Sequence, residues 1–144
     1  MNRAPIPGPD DLRAIERAGL RAWIGFDQVI DAQADVAARH GDRPALTALA
    51  SADDAAPRRW THAQLLGEIR RSANLFHALA PGEEARVALL LPPLPEAWFA
   101  LWGAESAGIA CPINQALADD HLAALLDAAG VNIVVTLAPG HAAG

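Results

Sequence analysis

Hydrophobic positions along this chain change their spacing several times, and each change marks an element. From Val87 to Leu91 every position is apolar, with no alternation, which is the pattern of a strand buried on both faces of a parallel sheet. Before it, Leu65, Leu66, Ile69, Ala73, Phe76, Leu79 and Ala80 recur along one side while Gln64, Glu68, Arg71 and Asn74 fall largely opposite, predicting an amphipathic helix over 62–80. After it, Leu94, Trp98, Leu101, Trp102 and Glu105 follow at i, i+4, i+7, i+8 and i+11, so a helix over 95–107 carries both tryptophans on one side.

The residues between these runs are the expected punctuation. Thr61-His62-Ala63-Gln64 has the form of a capping box, in which the threonine hydroxyl accepts from the N3 amide and the glutamine reaches back to the N-cap amide. Pro81-Gly82 ends that helix, Pro92 and Pro93 stop the apolar strand, and Pro95 suits a first helical turn, where its missing N–H has no intrahelical partner. Gly108 closes the next helix, and Ile109 to Pro112 returns as a second strand. Asp119 and Asp120 then open a helix through Leu122, Leu125, Leu126 and Ala129 to Gly130, and Asn132 to Leu137 makes a third strand. Arg86 to Leu137 therefore reads β-α-β-α-β, a right-handed parallel arrangement. If the strands advance steadily in one direction, the helices at 95–107 and 119–129 cover one face and the helix at 62–80 is left to cover the other. The third strand is then an exposed apolar edge, a site for aggregation or partner pairing.

Upstream the signals are shorter. Asp10 and Asp11 precede Leu12, Ile15, Arg17 and Leu20, a short helix with acids at its positive end. Val29, Ile30, Gln33, Val36 and Ala37 predict a helix over 27–40, with Arg39 and His40 in its last turn and Gly41 as its stop. Ala45 to Leu49 and Arg58 to Thr61 read as a β-hairpin around the small, polar loop 50–57. The opening residues MNRAPIPGPDD place prolines and acids where a secretory signal has an apolar core, so they read as a solvated tail.

Composition narrows the function classes. At 144 residues the chain is one ordinary domain, able to bury roughly two thirds of the surface its unfolded form exposes. The 52% apolar fraction leans on alanine, with three Phe, four Trp and no Tyr. A net charge of −6 argues against nucleic acid. All eleven basic residues are arginine, so any phosphate contact falls to guanidinium or backbone N–H groups. Cys111 is the single cysteine, which excludes an internal disulfide and a cysteine metal cluster and fits a reducing cytoplasm. The span 89–113 is long enough for a membrane crossing, but Glu96, Glu105 and prolines 92, 93, 95 and 112 argue against one.

Candidate chemistry is sparse. His40 could bind metal, but a cation favoured by a helix C-terminus is the preferred reading. Arg70 and Arg71 could grip an anion, against a solvated helix face. Trp98 and Trp102 could form a stacking platform for a ring, against core packing of the crossover helix, which is preferred. Cys111 within a strand reads as a structural thiol. There is no G-x-G-x-x-G, no G-x-x-x-x-G-K, no H-E-x-x-H, no G-x-S-x-G and no metal-spaced cluster among the five histidines. No residue is assigned as catalytic, cofactor-binding or metal-ligating.

Taken in order, DVAARHGDRPAL from Asp35, RRWTHAQLLGEIRRSANLFHAL from Arg58, RVALLLPPLPEAWFALWGAESAGIACPIN from Arg86 and AALLDAAGVNIVVT resemble the N-terminal part of the adenylate-forming acyl-CoA synthetases, the AMP-dependent synthetase and ligase family. The likeness spans about Phe26 to Ala138. Trp60-Thr61 before the capped helix and the strand-proline-Glu96 junction are its most specific elements. It implies an α/β fold: the N-terminal subdomain of the synthetase large domain, a short hairpin plus a βαβαβ parallel sheet with flanking helices. Residues 1–25 are then a tail with a short helix, and 26–144 a partial N-terminal domain.

For the whole family the resemblance implies fatty acid metabolism by a two-step reaction. A carboxylate attacks the α-phosphate of ATP to give an acyl-adenylate and pyrophosphate, and coenzyme A then displaces AMP. ATP, Mg2+ and coenzyme A are implied for the full-length family and none for this segment. The family's phosphate loop, adenine and magnesium motifs and adenylation lysine match no residue here. The expectation is therefore a truncated synthetase product that forms no acyl-adenylate alone and exposes apolar surface. Two other readings stand beside it: a docking partner that completes a split ligase with a separately encoded counterpart, and a free-standing α/β module with a closed, polar surface. The alanine-rich, lysine-free composition points to a GC-rich bacterial genome.

Overall fold

A computed structural model describes residues 8–19, 24–51, 53 and 55–138. The tail residues 1–7, Leu20 of the first predicted helix and part of the hairpin loop lie outside the described residues. The elements are α1 (Pro9–Ala18), α2 (Val29–His40), β1 (Pro44–Ala48), β2 (Arg58–Thr61), α3 (His62–Leu79), β3 (Ala85–Leu90), α4 (Pro95–Ala107), β4 (Gly108–Pro112), α5 (Asp119–Ala128) and β5 (Ile133–Thr136). Every predicted helix and strand is present, with ends shifted by one or two residues.

β1 and β2 pair antiparallel as the expected hairpin, Leu46 opposite Trp60 and Ala48 opposite Arg58. The capping box forms in full: the Thr61 amide donates to Gln64 Oε1 at 2.9 Å and the Gln64 amide to Thr61 Oγ1 at 3.3 Å. The amides of His62 and Ala63 donate to the carbonyls of Arg43 and Gly41 at 3.0 and 3.1 Å. With four first-turn N–H groups to satisfy, α3 is thus tied to the segment between α2 and β1 from its first residue.

The parallel sheet runs β4-β3-β5. This corrects the expectation of steady progress: the chain moves to one side of β3 for β4, then crosses back to the other side for β5. β3 takes the centre because it is the strand that tolerates burial on both faces, with Val87 and Ala88 both at 0% exposure. β4 ends in Pro112, which has no N–H to offer a second neighbour and suits an edge. At the other end of β4 a Cβ on Gly108 would sit 2.1 Å from the Ala85 carbonyl oxygen, so the close pairing with β3 requires glycine.

Right-handed crossovers that run in opposite directions, β3 to β4 and then β4 back past β3 to β5, place α4 and α5 on opposite faces. Side chains agree. Val87, Leu89 and Ile133 join Phe76 of α3 and Ala100 and Ala104 of α4 in the main core. Arg86, one residue out of phase, instead donates from Nη1 to the Ala129 carbonyl at the end of α5, at 3.2 Å. So α3 and α4 share a face and α5 lies on the other, whereas the expectation put α4 with α5 and left α3 to the opposite face. α5 buries none of its residues.

α3 and α4 meet closely through small residues. A Cβ on Gly103 would lie 2.5 Å from Ser72 Cβ and 3.0 Å from the Ala73 amide nitrogen. The buried stripe of α4 is Phe99, Ala100, Gly103, Ala104 and Ala107, rotated from the Leu94-Trp98-Leu101-Trp102 side that the hydrophobic spacing selects. A second, smaller core of Leu65, Ile69 and Phe99 takes in Leu46 and Trp60 from the hairpin and Ile30 from α2. Among the described residues no helix is long and apolar enough to cross a membrane.

Candidate functional site

β3 and β4 are neighbours whose following chains turn to opposite faces, α4 to one and α5 to the other. In an open α/β sheet that divergence opens a crevice beyond the strand C-termini, which is where such folds place ligands. A cleft of about 390 Å3 lies there. Leu91, Pro92 and Pro93 after β3, Trp98 and Leu101 of α4, and Ile113 and Asn114 after β4 form its walls.

The tryptophan pair divides its roles. The two rings touch, with centroids 5.6 Å apart and planes at 37°. Trp102 packs against the Leu65-Ile69-Phe99 core, as the packing reading holds. Trp98 is 44% exposed and faces the cleft, so the packing reading fails for it. Its indole ring is part of the cleft wall.

Electrostatically the cleft is poorly suited to a triphosphate. Among the described residues no cationic side chain lines it. A helix N-terminus attracts anions through unpaired N–H groups, but the first turn of α4 begins with Pro95, which has none, and carries the acid Glu96. The Ala97 amide already donates to the Leu94 carbonyl at 3.0 Å. The residues present therefore do not fit the ATP and Mg2+ that the family resemblance implies for the full-length enzyme. Among the described residues no group of three or more His, Cys, Asp or Glu could hold a metal.

Other singled-out residues resolve as structure. Arg71 donates to Glu68 through both Nε, at 3.1 Å, and Nη2. That hydrogen bond and the Glu68 charge raise the guanidinium pKa above its usual value, so Arg71 is engaged by a carboxylate instead of gripping an exogenous anion. Arg70 is exposed. A polar hollow walled by Arg59, Trp60, Gln64, Glu68 and Arg71 sets Glu68 against Arg71. His40 sits half-buried in the last turn of α2. Cys111 is a free thiol within β4, half-buried.

The two most specific sequence elements turn out to join the hairpin to the parallel sheet. Trp60 meets Phe99 of α4 edge-on, centroids 5.4 Å apart at 68°. Arg58 lies over the Trp60 ring at 4.8 Å and pairs with Glu96 at 3.2 Å. Hydrophobic spacing could not have found this joint, because it runs between elements 38 residues apart in sequence.

The family model described as AMP-binding enzyme matches residues 33–143. Marinolic acid–CoA ligase of Pseudoalteromonas sp. (strain SANK 73390) is 33% identical over 131 residues, 90% of this chain and 20% of the ligase. Crotonobetaine/carnitine–CoA ligase of Salmonella paratyphi A is 37% identical over 105 residues, 72% of this chain and 20% of the ligase. Among solved structures, the N-terminal domain of FACL13 from Mycobacterium tuberculosis superposes with a TM-score of 0.65 at 27% identity, over 76% of this chain and 27% of that one. The chain thus spans about a fifth of the length of these curated relatives.

Proposed function

The chain belongs to the AMP-binding enzyme family and has the fold of its N-terminal subdomain; from that premise we propose that it supplies the N-terminal portion of an ATP-dependent acyl-CoA synthetase. Its 144 residues alone form no acyl-adenylate. The activity to which it contributes joins a carboxylic acid to coenzyme A through an acyl-adenylate, with AMP and pyrophosphate released. Two curated relatives of the chain are named as CoA ligases, which supports this activity over other adenylate-forming chemistry. The single free thiol and the absence of a membrane-crossing helix among the described residues support a cytoplasmic setting.

One observation carries the inactivity of the isolated chain. The crevice at the sheet's switch point, the natural ligand position of such a fold, is walled by apolar residues and Asn114, has no cation among the described residues and has Glu96 in the helix turn beside it. Charge developing on a transferred phosphoryl or adenylyl group is stabilised by cations and aimed donors, and the chain has no lysine to bring. A free-standing module would close its surface with polar residues, whereas Ile109, Leu125 and Val134 stand exposed.

ATP–pyrophosphate exchange tests the reading. The purified 144-residue chain, offered ATP, Mg2+ and a panel of carboxylic acids, is expected to show exchange indistinguishable from buffer. Exchange that depends on both the acid and the chain would overturn it.

A further inference from the structure

The cleft that is ill suited to phosphate has walls suited to a different ligand. Three of its lining residues are prolines, Pro92, Pro93 and Pro112, and the Trp98 ring is braced by contact with Trp102. Rigid walls of this kind lose little entropy on binding. The volume of about 390 Å3 falls toward the lower end of the roughly 300–1,000 Å3 typical of small-molecule sites, which suits one or two fused rings. Among the lining side chains only Trp98 and Asn114 carry polar atoms. Asn114 Oδ1 accepts from the Ala116 amide at 3.0 Å, which orients the side chain and leaves Nδ2 to donate. Neither Nδ2 nor the Trp98 indole N–H has a partner among the described residues. The carbonyls of Leu89, Pro92 and Asn114 already accept from the amides of Ile113, Leu94 and Leu117, at 3.1, 2.7 and 3.3 Å. The two unspent side-chain groups of the wall are therefore both donors.

We propose that this cleft binds a neutral, flat compound of one or two fused rings bearing a carbonyl, its rings against Trp98 and the prolines and its carbonyl oxygen accepting from Asn114 Nδ2. Charge and shape select that class. A carboxylate or phosphate would leave water for apolar walls, where an unpaired ionised group is strongly penalised. Among the described residues no cation lines the cleft, and Glu96 stands in the adjoining turn of α4. A 44% exposed indole offers its π-face to another ring, and donors without a partner call for an acceptor on the ligand. The inference goes beyond the proposed function, whose acid and nucleotide are both anions and are not the occupants.

Coumarin is the probe, a neutral fused bicycle with a lactone carbonyl and no donor. Indole, of similar size, has a donor and no carbonyl, and coumarin-3-carboxylate adds the charge. In proton–nitrogen correlation spectra of the isotope-labelled 144-residue chain, coumarin is expected to shift the Asn114 side-chain amide and Trp98 indole signals saturably. Indole should bind at least about fivefold more weakly, and coumarin-3-carboxylate at least about tenfold. Asn114→Asp keeps an oxygen for the Ala116 amide and removes the donor, so coumarin should weaken at least about fivefold while indole does not. Trp98→Leu should weaken both, and Leu75→Ala, on the exposed side of α3, should change neither.

Shifts that stay linear in coumarin concentration, or that cluster away from Asn114 and Trp98, would overturn the inference. So would coumarin-3-carboxylate binding as tightly as coumarin, or an Asn114→Asp chain that keeps the preference for coumarin over indole with an unchanged circular dichroism spectrum. If Trp98→Leu fails to fold, the three probes on the unaltered chain and on Asn114→Asp still decide the matter. ATP–pyrophosphate exchange is read separately: exchange by the chain would refute the proposed inactivity and leave the coumarin result standing, and absence of exchange does not support the site.

Discussion

The same substitution, glycine to alanine, should have opposite signs at two helical positions of this fold. Gly103 lies in α4 where it crosses α3: an added methyl would meet Ser72 Cβ at 2.5 Å, the Ala73 amide nitrogen at 3.0 Å and the Ile69 carbonyl oxygen at 3.2 Å. Two of those atoms are backbone, so relief requires the helices to separate, and overpacking of this kind costs about 1–3 kcal/mol. Against it stands a helix-propensity gain of about 1 kcal/mol for replacing glycine with alanine. With three contacts below ordinary van der Waals distance the clash falls in the upper part of that range and wins, leaving Gly103→Ala destabilised by up to about 2 kcal/mol. Gly67 in α3 has nothing within 4 Å of the added methyl, so only the propensity gain remains and Gly67→Ala should stabilise by about 0.5–1 kcal/mol. In urea melts followed by circular dichroism the two variants should therefore differ by roughly 2 kcal/mol, or about 3–5 °C in Tm for each kcal/mol in a domain of this size. Ser72→Gly in the Gly103→Ala background should recover part of the loss, a positive coupling in the double-mutant cycle. Gly103→Ala as stable as Gly67→Ala would mean that α3 and α4 do not approach as described.

Thr61→Ala removes one half of the capping box and should cost about 1 kcal/mol, read as a lower urea midpoint with unchanged slope. Asn132 receives the Arg86 amide on its Oδ1 at 2.9 Å and donates from Nδ2 to the Glu84 carbonyl at 3.0 Å; Asn132→Ala should cost about 1–2 kcal/mol, with faster amide hydrogen exchange in β5 before the rest of the sheet. Glu96→Gln breaks the Arg58 pair, but both side chains are more than half exposed, so the stability change should stay below about 0.5 kcal/mol and the Trp60–Phe99 contact should carry the joint unaided.

Local signals were readable from the sequence wherever one residue type had one physical use. Thr61 and Gln64 wrote the capping box, Pro95 the start of α4, and the unbroken apolar run at 87–91 the central strand. The hairpin and the family likeness followed from runs in order. The partition of helices between faces did not, because a β-α-β-α-β string is compatible with either direction of travel after the second strand. Pro112 at the end of β4 was the available clue, since it favours an edge, and it was read only as a strand terminus. The buried side of α4 was missed for a related reason. Bulky residues dominate a hydrophobic pattern, yet close helix contact selects small ones, and Ala100, Gly103 and Ala104 are what let α3 approach. The cleft was not read, since Leu91, Trp98 and Ile113 meet only when the β3-α4-β4 crossover is folded.

The reversal of strand order also separates shape from chemistry here. Turning back across β3 creates a crevice in the position where open α/β sheets hold ligands, so the backbone supplies a cleft at no further cost. What a nucleotide needs beyond a cleft is a positive local field. Pro95 withholds an N–H from the helix turn facing the cleft, Glu96 adds a negative charge to it, and proline, leucine and tryptophan line the walls. The field at this end of α4 therefore opposes a phosphate even though the topology invites one. Glu96 has another use within the chain, pairing with Arg58 where the hairpin meets the sheet. Because both partners of that pair are more than half exposed, neutralising Glu96 would relieve the field at little cost to the joint, which rests on Trp60 and Phe99.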